Sequence, residues 1–115
     1  MDRDLDDRLF KFALSVLKML GKLNGGKEIE VIKYQLSKSA TSVGANYQEA
    51  QASISRPEFR MKILISLKEM RETNYRLRIL DSLFPESEEI KTLFRESTEL
   101  KLILGKIATK TIPTP

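Results

Sequence analysis

The sequence contains no cysteine and no histidine among its 115 residues, and the two absences restrict its chemistry. Without cysteine, the chain can form no disulfide, thiolate metal site or cysteine nucleophile. Without histidine, it lacks the commonest general base and the commonest metal ligand. Because only aspartate, glutamate, lysine, serine, threonine and tyrosine remain for chemistry, we predict a protein that is not an enzyme, with no catalytic residues, no bound metal and no cofactor.

Long apolar runs are also missing from the sequence. The candidate stretches FALSVL and ILISL are far shorter than the roughly 18–20 residues that a membrane span needs. The N-terminal stretch MDRDLDDRLF is rich in aspartate, whereas a signal peptide begins with a basic region followed by an apolar one. We therefore expect a soluble, cytoplasmic protein with no membrane partner.

Glycine and proline are scarce, at five and four residues, and the clusters that contain them mark breaks in the chain. The breaks fall at residues 24–26, 55–57 and 84–86, and a further stretch with proline ends the sequence. Between them lie four segments of roughly 20 to 28 residues, each long enough for a helix of about 30–40 Å. We predict one helical domain over residues 1–111 and a flexible C-terminal tail over residues 112–115.

Apolar residues recur in each segment at steps of three and four, which is the spacing of one helical face. Alternating runs joined by a two-residue turn do not occur, so the sequence predicts no strand. Because short connections favour antiparallel neighbours, the predicted fold is all-α: an antiparallel up-down-up-down four-helix bundle.

Local signals predict where the helices begin and end. Gly25 would stop the first helix by taking the left-handed conformation. Ser55 and Glu58 form a capping box at the start of the third helix, and Pro57 suits its first turn. Pro85 then ends that helix, because proline cannot continue it.

The third helix carries two separate apolar arcs when its residues are placed at intervals of about 100°. The first arc suits the core and consists of Phe59, Ile63, Leu67, Met70 and Leu77. The second arc consists of Met61, Ile65, Ile79 and Leu83. Since a small soluble monomer rarely exposes a long apolar stripe, we interpret the second arc as an oligomer interface. The alternative is that it packs on a neighbouring helix of the same bundle.

Basic residues concentrate in the third helix. Residues 56–84 contain seven bases and four acids, the largest positive excess of the four segments. Nucleic acid, with its phosphates, is the obvious acidic partner. The alternative is a solvated face with i,i+4 ion pairs, such as Lys68 with Glu72. The predicted nucleic-acid-binding residues are Arg56, Arg60, Lys68, Arg71 and Arg78, with Lys22 and Lys27 as second choices.

Paired carboxylates on the second and third helices raise the question of a metal site. Glu69 and Glu72 lie three residues apart, and Glu49 lies on the second helix. Di-metal bundles combine such glutamates with Glu-x-x-His motifs, which a chain without histidine cannot complete. A site made of carboxylates alone is the less favoured alternative, and we place Glu69 and Glu72 at the oligomer interface, as ion-pair partners within or between subunits. The candidate basic partners are Lys38, Arg71 and Arg76.

Polar and aromatic residues near the apolar arcs have mainly structural interpretations. Asn46 and Asn74 lie on or beside such arcs, where a buried asparagine usually fixes helix register. Tyr47 falls in the core stripe of the second helix, whereas Tyr75 lies among arginines and could stack on a base.

The second and third helices contain three motifs in a fixed order. They are SATSVGANYQEA over residues 39–50, SRPEF over residues 55–59 and KEMRETNYRL over residues 68–77. In this order, the motifs resemble the bacterial four-helix bundle family that is also called the 23S rRNA-intervening-sequence proteins. That family is related to the accessory protein of diversity-generating retroelements. The resemblance covers helices two and three closely, and helices one and four by length and pattern.

The resemblance implies a four-helix protomer with a basic surface that assembles into a ring-like homopentamer. The retroelement relative is understood to bind its reverse transcriptase and nucleic acid, and no member is an established enzyme. The predicted function is therefore that of a non-enzymatic homo-oligomer that binds RNA or DNA through charge and shape. The alternative is an oligomeric scaffold for a protein partner such as a reverse transcriptase, with no nucleic-acid affinity of consequence.

Two positions depart from the pattern of the family that the sequence resembles. Lys38 stands where many members have arginine, which keeps the charge but loses the planar fork of the guanidinium. Arg76 stands where many members have tryptophan, so we expect different packing around it. Neither change threatens the predicted fold.

Overall fold

Four helices make up the protein in the computed structural model, which describes residues 3–113. They are α1 (Arg3–Lys22), α2 (Lys27–Gln51), α3 (Arg56–Leu83) and α4 (Glu88–Lys110). Residues 3–113 contain no strand. The all-α fold and its four helices are therefore confirmed, and each helix lies close to the segment predicted for it.

Two further expectations concern the C-terminal tail and the membrane. Ile112 and Pro113 follow α4 outside any helix, whereas Thr114 and Pro115 of the predicted tail lie outside the described residues. Over the described part of the chain, no helix combines the length and the apolar character that a bilayer span requires.

Local hydrogen bonds fix the starts of α3 and α4. Ser55 Oγ accepts a hydrogen bond from the backbone N–H of Glu58 at 3.2 Å. Glu58 Oε1 accepts one from the backbone N–H of Ile54 at 3.1 Å, so the capping box is present, but its second bond falls one residue earlier than usual. Ser87 caps α4 in the same way, through a 3.1 Å hydrogen bond from the backbone N–H of Ile90.

The prediction for Gly25 is wrong. No glycine within residues 3–113 has a positive φ, so Gly25 does not supply a left-handed stop after α1. A Cβ placed on Gly25 would lie 2.7 Å from the Cβ of Ile29, closer than real side chains approach. Gly25 is therefore needed because the linker passes tightly over the first turn of α2. The carbonyl of Leu23 accepts a hydrogen bond from Lys33 Nζ at 2.9 Å, which caps the end of α1 instead.

The four helices surround one apolar core, as in a helical bundle. α1 packs on α2, α2 on α3, α3 on α4 and α4 on α1, whereas the described Cα atoms of the diagonal pairs α1–α3 and α2–α4 stay more than 8 Å apart. Tyr47 lies in the core at 2% exposure, as predicted. The other large, fully buried side chains are Leu9, Val16, Leu36, Val43, Ile63, Met70, Leu77, Leu80, Ile90, Leu100 and Leu104.

Buried hydroxyl groups align α2 with α3. Ser66 Oγ donates to the carbonyl of Val43 at 2.8 Å, and Thr73 Oγ1 donates to Ser39 Oγ at 2.8 Å. Every buried side-chain nitrogen and oxygen within residues 3–113 has a hydrogen-bond partner. These bonds fix the relative height of the two helices, because sliding one helix past the other would leave buried polar groups without hydrogen-bond partners.

Ion pairs close the seam between α1 and α4. Arg8 donates to both carboxylate oxygens of Glu96, at 2.6 and 2.8 Å, and to Glu99 Oε1 at 3.0 Å. These hydrogen bonds, chiefly those to Glu96, raise the pKa of the Arg8 guanidinium above its ordinary value. Lys22 binds Glu89 at 3.0 Å near the other end of the seam. The two helices are thus joined by charges that neutralise each other.

The seam between α3 and α4 contains a buried polar cluster. Asn74 Nδ2 donates to Ser97 Oγ at 2.8 Å and to Thr98 Oγ1 at 3.0 Å. Its Oδ1 accepts a hydrogen bond from Lys101 Nζ at 3.1 Å. Asn74 therefore joins the two helices through its whole amide, as expected of an asparagine that sets register. Asn46 has no such role, because its amide bonds within α2.

The second apolar arc of α3 lies largely outside the core. Met61 and Leu83 are 54% and 55% exposed, and Ile65 and Ile79 are half-buried. The alternative in which another helix of the same bundle covers this arc is therefore wrong for Met61 and Leu83. The first arc is confirmed as core, with Ile63, Met70 and Leu77 buried and with Phe59 and Leu67 packed against them.

Candidate nucleic-acid interface

Two adjoining grooves run along the face where α3 packs on α4. The first groove has a volume of about 900 Å³ and lies between the first half of α3 and the end of α4. Four of its lining residues are basic: Arg56, Arg60, Lys68 and Lys110. Its apolar lining residues are Pro57, Met61, Leu64, Ile65, Ile112 and Pro113. The groove therefore combines positive charge with an apolar surface.

The second groove has a volume of about 600 Å³ and continues along the same two helices. Arg71 of α3 and Lys101 and Lys106 of α4 line it, and Lys110 borders both grooves. We call the combined surface the α3–α4 basic face. Its bases are Arg56, Arg60, Lys68, Arg71, Lys101, Lys106 and Lys110.

The α3–α4 basic face lacks compensating negative charge. Among the described residues that line its two grooves, none is acidic. Five of its bases make no ion pair or side-chain hydrogen bond with any residue of the described chain: Arg56, Lys68, Arg71, Lys106 and Lys110. Such a cluster of bases produces a positive electrostatic potential, and binding of an anionic partner would reduce the repulsion between the bases.

Two members of the face are held in place by structural hydrogen bonds. Arg60 Nη1 donates to the carbonyl of Ala108 at 2.9 Å and to Thr111 Oγ1 at 2.8 Å. Arg60 thereby caps the C-terminal turn of α4, where a cation also suits the negative end of the helix dipole. Lys101 is tied to Asn74 of α3. These two cations are fixed, whereas the five unpaired ones can adjust to a ligand.

None of the acids of α3 lines the basic face: Glu69 and Glu72 border a groove beside α2, and Asp81 binds Lys91 near the start of α4. Glu72 pairs with Arg76 at 3.6 Å, and not with Lys68 as the solvated-face interpretation suggested. Lys62 binds Glu49 of α2 at 2.6 Å. The ion pairs of α3 thus lie beside α2 and at the C-terminal end of the helix, whereas the unpaired bases Arg56, Lys68 and Arg71 line the basic face.

Glu69 and Glu72 line a third groove, of about 640 Å³, between α2 and α3. Lys38 and Arg76 line it as well, and Arg76 Nη1 reaches the carbonyl of Gln35 at 3.5 Å. The pairing of Glu72 with Arg76 within one subunit is confirmed, whereas the pairing of Glu69 stays a prediction. Within residues 3–113, no group of three acidic side chains is placed to hold a metal ion.

The structure brings four of the predicted binding residues together and leaves three apart. The four that line the basic face are Arg56, Arg60, Lys68 and Arg71. Arg78 is exposed on α3 but lines neither groove. Lys22 is paired with Glu89 at the start of α4, and Lys27 is exposed at the start of α2, so both lie toward the opposite end of the bundle.

Sequence reasoning missed Lys101, Lys106 and Lys110. Residues 85–115 contain five bases and five acids, and their net charge of zero concealed the three lysines. The order of the charges along the segment could have revealed them, because every acid precedes Leu100, whereas these three bases follow it. Counting the two halves of the last helix separately would have predicted a basic C-terminal half.

Aromatic residues are placed away from the two basic grooves. Tyr75 is exposed, as base stacking would require, but it lines neither groove. Tyr34 lies on α2, where its ring centroid is 5.3 Å from Lys38 Nζ in a cation–π contact.

The fold and the site define an all-α protein of four helices with one basic face. Residues 3–106 match the family model of the 23S rRNA-intervening sequence protein, and the chain belongs to this family. The resemblance seen in the sequence motifs is thereby confirmed at the level of the family. The relation to the accessory protein of diversity-generating retroelements stays a resemblance only.

A solved structure is similar to this chain over nearly its whole length. It is a protein of unknown function from the S23 ribosomal protein family of Bacteroides thetaiotaomicron. The two chains are 30% identical, and the match covers 90% of this chain and 97% of the other, with a TM-score of 0.80. A search of curated proteins found no match.

Proposed function

We propose that this protein binds RNA or DNA through the α3–α4 basic face and does so without catalysing a reaction. One observation carries the proposal: seven bases from two helices line adjoining grooves, and no described lining residue is acidic. Because a duplex carries one negative charge per roughly 1.7 Å of its axis, such a row of bases can neutralise several phosphates together.

The contacts would be to phosphates more than to bases. No aromatic side chain is among the described residues that line the two grooves. Phosphate contacts position a protein on nucleic acid but carry no sequence information. We therefore expect little sequence preference and a steep dependence of affinity on salt. Arg60 and Lys101 would provide fixed contacts, around which the unpaired bases adjust.

We also propose the finer architecture that the family resemblance implies, an antiparallel up-down-up-down bundle assembled as a ring-like homopentamer. Two contacts support the topology: Arg60 at the start of α3 binds Ala108 at the end of α4, and Asp81 at the end of α3 binds Lys91 at the start of α4. The exposure of Met61 supports self-association. Repeating a net charge of +4 in each subunit would strengthen the field that attracts nucleic acid.

A charge-reversal variant tests the site. The variant carries Arg71→Glu, Lys106→Glu and Lys110→Glu, which replace three unpaired bases of the basic face. We expect its affinity for a fluorescent structured RNA to fall by about 100-fold or more near ~150 mM salt, because three phosphate contacts become repulsive. Arg60 is left unchanged, since its reversal would also remove the cap of α4.

The matched control changes the net charge equally on the other side of the molecule. It carries Lys11→Glu, Lys18→Glu and Lys27→Glu, three exposed positions on α1 and α2. Fluorescence anisotropy over a salt series, with duplex DNA alongside the RNA, measures both variants. Equal losses in the two variants would mean generic attraction and would exclude the basic face as a defined site. A wild-type protein that releases RNA below ~150 mM salt would favour the scaffold for a protein partner instead.

A further inference from the structure

An unpartnered apolar groove lies on the opposite side of the bundle, between α1 and α2. Phe10, Leu14 and Leu17 succeed one another at helical spacing on the outside of α1, with exposures of 68%, 42% and 41%. With residues of α2 they line a groove of about 260 Å³, which we call the α1–α2 groove. A continuous apolar stripe on the surface of a small protein marks an interaction site.

Small residues of α2 form the other wall of the α1–α2 groove. Thr41, Gly44 and Ala45 line it. A Cβ on Gly44 would lie 3.7 Å from the Cβ of Leu9, so the two helices are already in contact beneath the groove. Helices pack by placing side-chain ridges into grooves, and small residues leave the space for them. The groove therefore fits a helix that presents large apolar side chains.

The chain itself presents such a helix on its opposite side. Met61, Leu64 and Ile65 form a ridge on the outside of α3, which we call the α3 ridge. Met61 and Leu64 are exposed, and Ile65 is half-buried. Because α3 packs on α2 and α4 but not on α1, one chain cannot bring its own ridge to its own groove. Two chains can.

The α3 ridge and the α1–α2 groove lie at the same height along the bundle. The hydrogen bond from Ser66 Oγ to the carbonyl of Val43 aligns the residue after the ridge with the residue before Gly44 in the groove. A second copy related by rotation alone, without a shift along the helices, can therefore place its ridge at the first copy's groove. Repetition of such a head-to-tail contact closes a ring when the rotation divides a full turn.

The two surfaces also carry opposite charge. The described lining of the α1–α2 groove includes Asp6 and no base. Arg56 and Lys68 accompany the α3 ridge in the first basic groove. Two grooves placed face to face would oppose acid to acid, and two ridges would oppose base to base. Only a groove placed against a ridge gives complementary charge, which favours that pairing over the symmetric ones.

We propose that the α1–α2 groove receives the α3 ridge of a second copy of this chain, in a head-to-tail contact. This inference rests on the self-association in the proposed function and identifies the two surfaces that produce it. The contact also divides the basic face between two tasks. Arg56 and Lys68 would lie at the contact with the next subunit, whereas Arg71 and Lys106 would remain open to phosphate.

Two single substitutions that each block one surface test the contact. Leu14→Glu blocks the groove and leaves the ridge intact, and Met61→Glu blocks the ridge and leaves the groove intact. We expect each variant alone to be a monomer of 13 kDa. An equimolar mixture should form a dimer and nothing larger, because only one intact groove can meet one intact ridge. Size-exclusion chromatography with light scattering at high micromolar concentration measures the mass, and circular dichroism checks that each variant is helical.

The outcomes separate this interface from self-association itself. A wild-type chain that is monomeric at high micromolar concentration would overturn both self-association and the proposed interface. A wild-type oligomer that neither substitution changes would overturn the interface and leave self-association standing. Two monomeric variants that stay monomeric when mixed would exclude the head-to-tail contact. No nucleic acid is present in the experiment, so its result is independent of the RNA measurement.

Disulfide trapping gives a second readout, because the chain has no cysteine of its own. Leu14→Cys and Met61→Cys, made as separate proteins, should form little disulfide alone and a mixed disulfide dimer after subunit exchange and air oxidation. Thr92→Cys, exposed on α4 outside both surfaces, is the matched control for random collision. A Leu14→Cys dimer as abundant as the mixed dimer would contradict the proposal.

Discussion

Two seams flank α4, and they use charge in opposite ways. Along the α1–α4 seam, Arg8 is bound by Glu96 and Glu99, and Lys22 is bound by Glu89, so bases and acids neutralise each other. Along the α3–α4 seam, Lys91 binds Asp81 near the start of α4, and a buried amide and hydroxyls join the middle of the helices. Toward the end of α4, the bases of the basic face lie beside other bases. The charges of α4 are thus neutralised along its α1 side, whereas the C-terminal half of the helix presents unpaired charge on its α3 side.

The difference follows from the distribution of charge along α4. The acids of this helix lie between Glu88 and Glu99, and three of them bind bases of α1, whereas the lysines that follow line the grooves beside α3. An arginine between carboxylates joins two helices, but an arginine among lysines is stabilised only when an anion binds. Residue type alone therefore does not tell a structural base from a binding one, and three substitutions can separate the two.

The largest effect on stability is expected from the buried cluster of the α3–α4 seam. Asn74→Leu removes the acceptor of Lys101 and the donor to Ser97, and such losses typically cost about 1–3 kcal/mol. We expect urea unfolding to show a free energy of unfolding lower by about 2 kcal/mol. Asn46→Leu is the matched control, because the amide of Asn46 bonds only within α2. Equal losses in the two variants would show that Asn74 has no special role between the helices.

A smaller loss of stability is expected at the α1–α4 seam. Arg8→Met leaves Glu96 and Glu99 without their base, and since all three side chains are partly exposed we expect a cost of about 1 kcal/mol. The cost should shrink at high salt, and RNA affinity should not fall. Lys11→Met, an exposed base on the same helix, should leave stability unchanged. The contrast between the seams would fail if Arg8→Met weakened RNA binding and left stability intact.

The smallest change is expected from a single base of the basic face. Arg71→Met removes an unpaired charge, so the free energy of unfolding should stay within about 0.5 kcal/mol of the wild-type value. The slope of log affinity against log salt should fall by about one, as for the loss of one phosphate contact. Anisotropy titrations at several salt concentrations measure the slope. A loss of stability larger than that of Arg8→Met would show that Arg71 is structural.

The helices were predictable because their signals are local. Ser55 and Glu58 lie four residues or fewer from the groups that they bind, so their pattern in the sequence is enough to place the start of α3. The prediction for Gly25 failed because glycine serves two purposes: it can adopt a positive φ, and it lets the backbone pass close to another side chain. The sequence does not show which of the two applies.

The surfaces were harder to predict because they depend on which helices are neighbours. Phe10, Leu14 and Leu17 lie next to the core stripe of α1 in the sequence pattern, so nothing there distinguishes a wide buried face from an exposed groove. The second arc of α3 was recognisable because it is well separated from the first. The lysines of α4 become part of a site only through packing against α3, and no count along one segment contains that information.

The hydrogen bond between Lys101 and Asn74 connects the interior of the bundle to its surface. The ammonium group that lines the second groove is anchored to the amide that aligns α3 with α4. A change at Asn74 would therefore alter a surface cation as well as the core, and a change at Lys101 would leave a buried oxygen without its donor. The two positions are therefore coupled, because a substitution at either one removes a hydrogen-bond partner of the other.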